Sequence, residues 1–258
     1  MWERLVTLTT AIGEWILDRL DQFVARASIL GNPPVFAQSD FPWSTPLAAE
    51  WTTIRRELDA VLAHRAALPN FQDISTDQAS ITDDDRWKTY FLYGFGFRSD
   101  ANCARCPETA RLVAGVPGMR TAMFSILAPG KHIPDHCGPY KGLIRYHLGL
   151  KVPRDATRCR IRIGDRFEGW TEGGSLIFDD TYEHEVWNDT QEERVILLFD
   201  FDRPMRFWGR AVNKMFIALM KHTAFYQEPK KNLATFEERF EAATRRAGEN
   251  LEKLSTHD

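Results

Sequence analysis

Apolar positions recur at steps of three and four near both ends of the chain and in short, turn-bounded runs through its middle. Leu5, Leu8, Ile12, Trp15, Ile16, Leu20 and Phe23 share one face of an N-terminal helix. The Pro-rich stretch from Gly31 to Pro46 ends it, and Thr45-Pro46 reads as the cap and first turn of a second helix with the stripe Leu47, Trp51, Ile54, Leu58, Val61 and Leu62. Ser75 to Arg86 is polar and acidic and reads as a loop. From Thr121 to Asp202 the pattern shortens: Thr121–Ala128, Leu143–Val152, Cys159–Ile163, Ser175–Phe178, Glu185–Trp187 and Val195–Phe201 are apolar runs. Gly130, Gly138-Pro139, Gly164-Asp165 and Gly173-Gly174 punctuate them, which predicts a sandwich or barrel of short strands. After Pro204 the helical period returns in Phe207, Val212, Met215, Phe216, Leu219 and Met220, then in Phe236, Phe240, Ala243, Ala247, Leu251 and Leu254. The expected layout is one domain over 1–258: a mostly helical part to 118, a β core over 119–204, and C-terminal helices over 205–258.

Composition narrows the class. The 258 residues carry 33 Lys+Arg against 36 Asp+Glu, a net charge of −3, with 43% hydrophobic residues, so disorder and a disulfide-dense mini-domain are excluded. The near-neutral balance argues against a nucleic-acid partner. Cys103 and Cys106 form a lone CxxC without the further ligands of a structural zinc site, so reduced thiols are expected. Charges at Glu3, Arg4, Glu14, Asp18, Arg19 and Asp21 break up the N-terminal apolar stretch, leaving neither a signal peptide nor a spanning helix, and a cytoplasmic location is expected. The first helix is expected to pack on the core, with contact to a membrane or partner as the alternative. Arg203, Arg206, Arg210, Lys214, Lys221, Lys230 and Lys231 against Glu228 give 203–231 a local +6 among aromatic residues. That segment is either a packed helix with a solvated basic edge or a peripheral contact to the inner face of a membrane.

Candidate chemistry lies in the β region. His136 and His184 stand at strand ends and His147 inside a strand, and two imidazoles at the mouth of a small barrel can hold a divalent metal. Arg194 and Arg145 sit in otherwise apolar strands, where a guanidinium is costly without an anion. A dicarboxylate would answer both.

The sequence resembles the aspartyl/asparaginyl β-hydroxylase family of Fe(II)- and 2-oxoglutarate-dependent oxygenases. The likeness rests on Phe124-Ser125-Ile126-Leu127-Ala128-Pro129-Gly130, His136-Cys137-Gly138-Pro139, Arg145-Tyr146-His147-Leu148-Gly149-Leu150, Gly174 to Asp180, Tyr182 to Asn188, and Arg194. A weaker similarity to bacterial lipid A and ornithine-lipid acyl-chain hydroxylases adds Trp51 to Arg55, Cys106 to Thr109 and Arg203 to Arg206. The resemblance implies a mainly β fold, a double-stranded β-helix (jelly-roll, cupin-like) core with flanking N- and C-terminal helices. It also implies Fe(II), 2-oxoglutarate and O2 as cofactor and cosubstrates, with His136 and His184 as the iron ligands. Arg194 then grips the distal carboxylate of 2-oxoglutarate together with Ser125, Arg145 and His147 stand near the carboxylate at the metal end, and Asp179-Asp180 shapes the turn before His184. Each has a plainer reading: His147 as a satisfied core histidine, Arg145 as an ion-pair partner, Ser125 as a strand serine, and Cys137 as a small filler.

Two departures divide the substrate reading. Gly138 stands where most such enzymes carry an acid; it resembles the peptide-hydroxylating branch, whereas the lipid branch resembles Asp there. Leu143 stands where the peptide hydroxylases resemble Arg, which favours lipid. The leading expectation is hydroxylation of an unactivated C–H of an Asp/Asn-like residue or small substrate, with release of succinate and CO2. The alternatives are a lipid acyl-chain hydroxylase and a non-catalytic 2-oxoglutarate-binding module.

Overall fold

The computed structural model describes residues 2–94 and 96–255. In chain order the elements are α1 (Trp2–Ala27), β1 (Val35–Phe36), α2 (Ser44–Ala49), α3 (Trp51–Leu62), α4 (Phe71–Ile74), β2 (Trp87–Gly94), β3 (Phe97–Arg98), α5 (Asp100–Arg105), α6 (Pro107–Ala114) and β4 (Met119–Leu127). There follow β5 (His132–His136), β6 (Leu143–Lys151), β7 (Cys159–Ile163), β8 (Arg166–Gly169), β9 (Ser175–Phe178), β10 (His184–Asn188), β11 (Arg194–Asp202), α7 (Phe207–Met220) and α8 (Ala224–Ser255).

The strands form a seven-stranded sheet in the order β1-β9-β6-β11-β4-β2-β3 and a four-stranded sheet in the order β5-β10-β7-β8. Every ladder between these strands is antiparallel. Strands that alternate between two apposed sheets make the double-stranded β-helix, flanked by helices.

Side chains alternate across the large sheet, so each strand serves two layers. Phe124, Ile126, Tyr146, Leu148, Val195, Leu197 and Phe199 point away from the small sheet into a cluster closed by Ile54, Leu58 and Val61 of α3 and Ala110 and Val113 of α6. Each Val, Leu, Ile and Phe among them contributes roughly 1.5–3 kcal/mol through burial. The opposite register, including Met123, Phe178, Ile196 and Leu198, faces Ile161, Ile163 and Val186 of the small sheet. A trough with functional side chains opens on this second face.

Three features of the fold were not foreseen from the sequence. The mostly helical part before residue 118 also holds β2, which pairs with β4 over Trp87↔Leu127 to Tyr93↔Ala122. Because β2 is buried on both faces, no period of two was there to read. Strand β5 was also hidden, since Pro134 disfavours a ladder and is tolerated because β5 lies at a sheet edge. Thr45 is not a cap: the helix starts at Ser44 behind Trp43, and Glu50 separates α2 from α3.

The outer helices differ from expectation as well. On α1, Val24 is buried with Leu20 and Ala27 packed beside it, while Trp15, Ile16 and Phe23 are exposed. Leu5, Leu8 and Ile12, like Ala247, Leu251 and Leu254 of α8, lie outside the residues whose side chains are described. Cys103 and Cys106 are buried free thiols, and burial pushes Cys106 up to about 12, in keeping with apolar packing.

Candidate active site

Three strands of the large sheet aim alternate residues into the trough. Strand β11 contributes Arg194, Ile196, Leu198 and Asp200, β4 contributes Ser125, Met123 and Thr121, and β6 contributes His147, Arg145 and Leu143. Pairing of Ile196 with Ser125, and of Leu198 with both Met123 and His147, keeps these rows in step. Strands β5 and β10 of the small sheet complete the deep end with His136 and His184. All six residues singled out from the sequence (Ser125, His136, Arg145, His147, His184 and Arg194) therefore line one cavity.

His136 and His184 are register partners, with ring centroids 4.1 Å apart at 51°. The Nδ1 of His136 lies 2.9 Å from the carbonyl oxygen of Pro134, and that of His184 lies 2.9 Å from the carbonyl oxygen of Tyr182. A carbonyl only accepts, so both Nδ1 atoms donate and both Nε2 atoms keep a free lone pair. Burial pushes both rings below the ordinary histidine value, His184 to about 3 with help from His136 and Arg145. Neutral imidazoles with a fixed tautomer are suited to ligate a divalent metal. Among the described residues no group of three or more His, Cys, Asp or Glu is placed to hold a metal, so the site offers two protein donors. This agrees with glycine at 138.

His147 has the opposite tautomer. Trp170 Nε1 donates to its Nδ1 at 3.3 Å, which leaves the proton on Nε2, buried and without a partner. Burial, then Arg194, Arg145 and His184, hold the ring well below its usual value, so it is neutral. The plainer reading, a core histidine satisfied by a backbone carbonyl, does not hold.

Arg194 is only 2% exposed, and its Nε and Nη1 have no hydrogen-bond partner. Its guanidinium lies 4.7 Å from the centre of the Trp170 ring, a cation–π contact. Burial lowers its pKa to about 10, so it stays charged at neutral pH. A buried cation with idle donors on a cavity wall is matched by a carboxylate. Ser125 is buried beside it and accepts from Trp87 Nε1 at 3.0 Å, leaving its own proton to donate.

Arg145, contrary to the expectation from its apolar strand, needs no ligand anion. Its Nε and Nη2 reach Asp200 at 2.8 and 3.1 Å, and Nη2 lies 3.1 Å from Asp180. Burial would lower its pKa, but Asp200 and Asp180 outweigh that and raise it. Arg145 and Leu198 form the wall shared between the deep cavity and an outer one of about 140 Å3. The outer cavity is lined by Phe71, Phe91, Met123, Leu143 and Leu198, with Asp180, Asp200 and Tyr140 on its polar side.

Asp179 organises the approach to His184 as expected of a turn residue. It accepts from Thr181 Oγ1 at 2.6 Å and from Arg203 Nη2 at 2.5 Å, and lies 3.0 Å from Lys141 Nζ. Arg203 is thereby buried, so it does not belong to a basic surface. Sequence reasoning missed Asp200, Trp87 and Trp170. An acid inside the apolar run of β11 was a visible signal for Asp200; the two tryptophans carried none.

The site is thus two open imidazoles beside an arginine with idle donors, set in a jelly roll. Residues 48–204 match the family described as aspartyl/asparaginyl beta-hydroxylase, and the chain belongs to that family. It is 47% identical over 213 residues to an ornithine lipid ester-linked acyl 2-hydroxylase of Rhizobium tropici, covering 83% of this chain and 76% of that one. It is 32% identical over 179 residues to human aspartyl/asparaginyl beta-hydroxylase, covering 63% of this chain but only 23% of the human protein. A 2OG-Fe(II) oxygenase-family oxidoreductase from Burkholderia pseudomallei superposes with a TM-score of 0.37 at 14% identity, over 62% of this chain and 90% of that one. That likeness is too distant to add to the sheets described above.

Proposed function

We propose that this hydroxylase is Fe(II)- and 2-oxoglutarate-dependent and that it acts on an acyl chain of a lipid of the ornithine-lipid type. The observation that carries the cosubstrate is Arg194, a buried guanidinium with idle Nε and Nη1 facing the cavity of the two open imidazoles. Iron(II), 2-oxoglutarate and O2 together supply the oxidation, one oxygen atom entering the C–H bond while 2-oxoglutarate leaves as succinate and CO2.

This chain's residues have separate tasks in that reading. His136 and His184 offer their Nε2 lone pairs to the metal. Arg194 donates two N–H bonds to the far carboxylate, and Ser125 adds its hydroxyl proton. His147 holds a proton on Nε2 for an acceptor at the near end, where Arg145 borders the cavity with its charge already answered by two carboxylates. Asp200 and Asp180 keep Arg145 in place. The apolar walls of the outer cavity exclude water and orient the target carbon.

The lipid reading draws on two things. The similarity to the R. tropici lipid hydroxylase is well above that to the human enzyme. The outer cavity is walled by apolar side chains, Leu143 among them. Gly138 favours a second reading, the Asp/Asn-like side chain first expected from the sequence.

Anaerobic titration with Fe(II) and then 2-oxoglutarate tests the cosubstrate, with a charge-transfer band expected that is lost in His184→Ala and weakened in Arg194→Ala. Incubation with ornithine lipid and with an Asp-containing peptide, read as gain of one oxygen by mass spectrometry, separates the substrates. Absence of the band in metal-loaded protein, together with absence of uncoupled 2-oxoglutarate decarboxylation, would leave a non-catalytic binding module.

A further inference from the structure

The large apolar side chains left exposed are not scattered. Of all those on the described surface, only Phe167 lies away from α1, α7 and Ile29, two residues after α1. On α7, Trp208, Met215 and Leu219 are 72%, 60% and 62% exposed. Their spacing of seven and four places them on one line of the helix. On α1, Trp15, Ile16 and Phe23 are exposed. The two helices cross closely: a Cβ at Gly209 would meet the Ala27 Cβ at 2.5 Å.

The exposed charge along α7 has one sign, whereas α1 exposes both Asp18 and Arg19. Arg210, Lys214 and Lys221 are exposed, fall at i, i+4 and i+11 beside the Trp208–Leu219 line, and form no ion pair among the described residues. Residues 206–221 contain no Asp or Glu. The inner side of α7 is packed normally, with Asn213 and Ile217 buried.

We infer that the outer face of α7, with the adjoining face of α1, is a docking surface for an anionic phospholipid bilayer. A line of Trp, Met and Leu bordered by a cationic line is the pattern of a helix lying in the lipid interface, with aromatic and aliphatic groups among the acyl chains and basic groups at the headgroup phosphates. A second copy of this chain is disfavoured, because a two-fold contact through this face would set one unpaired cationic line against the other. Among the described residues no helix is long and apolar enough to cross a membrane, so the contact is one of lying on the surface.

The inner side of α7 packs on the wall of the outer cavity. Phe216, on the inner side of α7, has its ring 4.3 Å from Tyr140, and Tyr140 and Leu143 both line that cavity. Docking would leave the cavity wall one helix away from the lipid. The inference goes beyond the proposed activity and does not rest on it, since binding is read without substrate or turnover.

The test is flotation of the full chain with vesicles of phosphatidylcholine alone and of phosphatidylcholine mixed with phosphatidylglycerol, at low and high salt. Binding to the anionic vesicles is expected to be at least about tenfold stronger than to the neutral ones, with the difference reduced at high salt. Trp208→Ser with Leu219→Glu, at exposed positions that leave the fold intact, is expected to lower binding about tenfold. Arg210→Glu with Lys214→Glu should remove the salt-sensitive part. Equal binding to both vesicles, no binding, or a concentration-dependent dimer that Trp208→Ser/Leu219→Glu converts to monomer would overturn the proposal.

Discussion

The carboxylate of Asp180 fills the volume that any side chain at Gly138 would need. A Cβ there would lie 2.3 Å from Asp180 Cγ and Oδ2, and the Gly138 N–H donates to the Asp180 carbonyl at 2.6 Å. Asp180 cannot easily give way, because Arg145 holds it at 3.1 Å. The position two residues after His136 is thus closed by an acid from another loop.

Gly138→Ala is therefore expected to lower stability by about 1–3 kcal/mol through overpacking. Thermal denaturation checks it. Combining Gly138→Ala with Asp180→Gly should recover part of that loss. Simple addition of the two single effects would show that the two side chains do not compete.

Arg194 predicts opposite effects on stability and on cosubstrate binding. Its charge is buried without a carboxylate, so Arg194→Met removes a desolvated cation and leaves a chain that fits beside Trp170. The apoprotein should melt at the same temperature or higher. The KM for 2-oxoglutarate should rise by about a hundredfold, equivalent to ~2.7 kcal/mol. A large drop in melting temperature would instead mark Arg194 as a structural residue.

Why these residues could be read from the sequence, and others could not, has a physical basis. Arg194 and the two histidines were legible because a cation in an apolar strand and imidazoles at strand ends are locally expensive choices. β7 and β9 were legible to the residue because turns bracket them and, in β7, only alternate residues are buried. β2 was not, since a strand that walls both a core and a cavity has no polar face. Nor was the source of Arg145's counter-charge, because its partners Asp180 and Asp200 lie 35 and 55 residues downstream and only the fold joins them. The exposure of α1 was illegible for the same reason: a stripe shows that a face is apolar, not what covers it.

Asp179 gives the protein a defined acid sensitivity. Burial alone would push its carboxyl up, but Arg203, Thr181 and Lys141 outweigh burial and hold it below 3.8. Its contribution is then full above the unfolded value and is lost only as pH falls through the lower folded one. Asp179→Asn should cost about 3–5 kcal/mol at neutral pH by leaving Arg203 buried and unpaired. Denaturation curves of the two proteins should converge below pH 4, and a constant gap across that window would contradict the assignment.

The outer cavity predicts a separation between cosubstrate turnover and substrate turnover. Met123 is almost fully buried and lines that cavity but not the deep one, whereas Leu198 lines both. Filling the space with Met123→Trp leaves the atoms around His136, His184 and Arg194 untouched and blocks the place where a target carbon would lie. Hydroxylated lipid should fall by at least ~100-fold, while uncoupled conversion of 2-oxoglutarate to succinate persists at its basal rate. Measuring both products in one reaction checks this. Loss of the two together would mean that the outer cavity serves the cosubstrate; retention of lipid hydroxylation would mean that the acyl chain enters elsewhere.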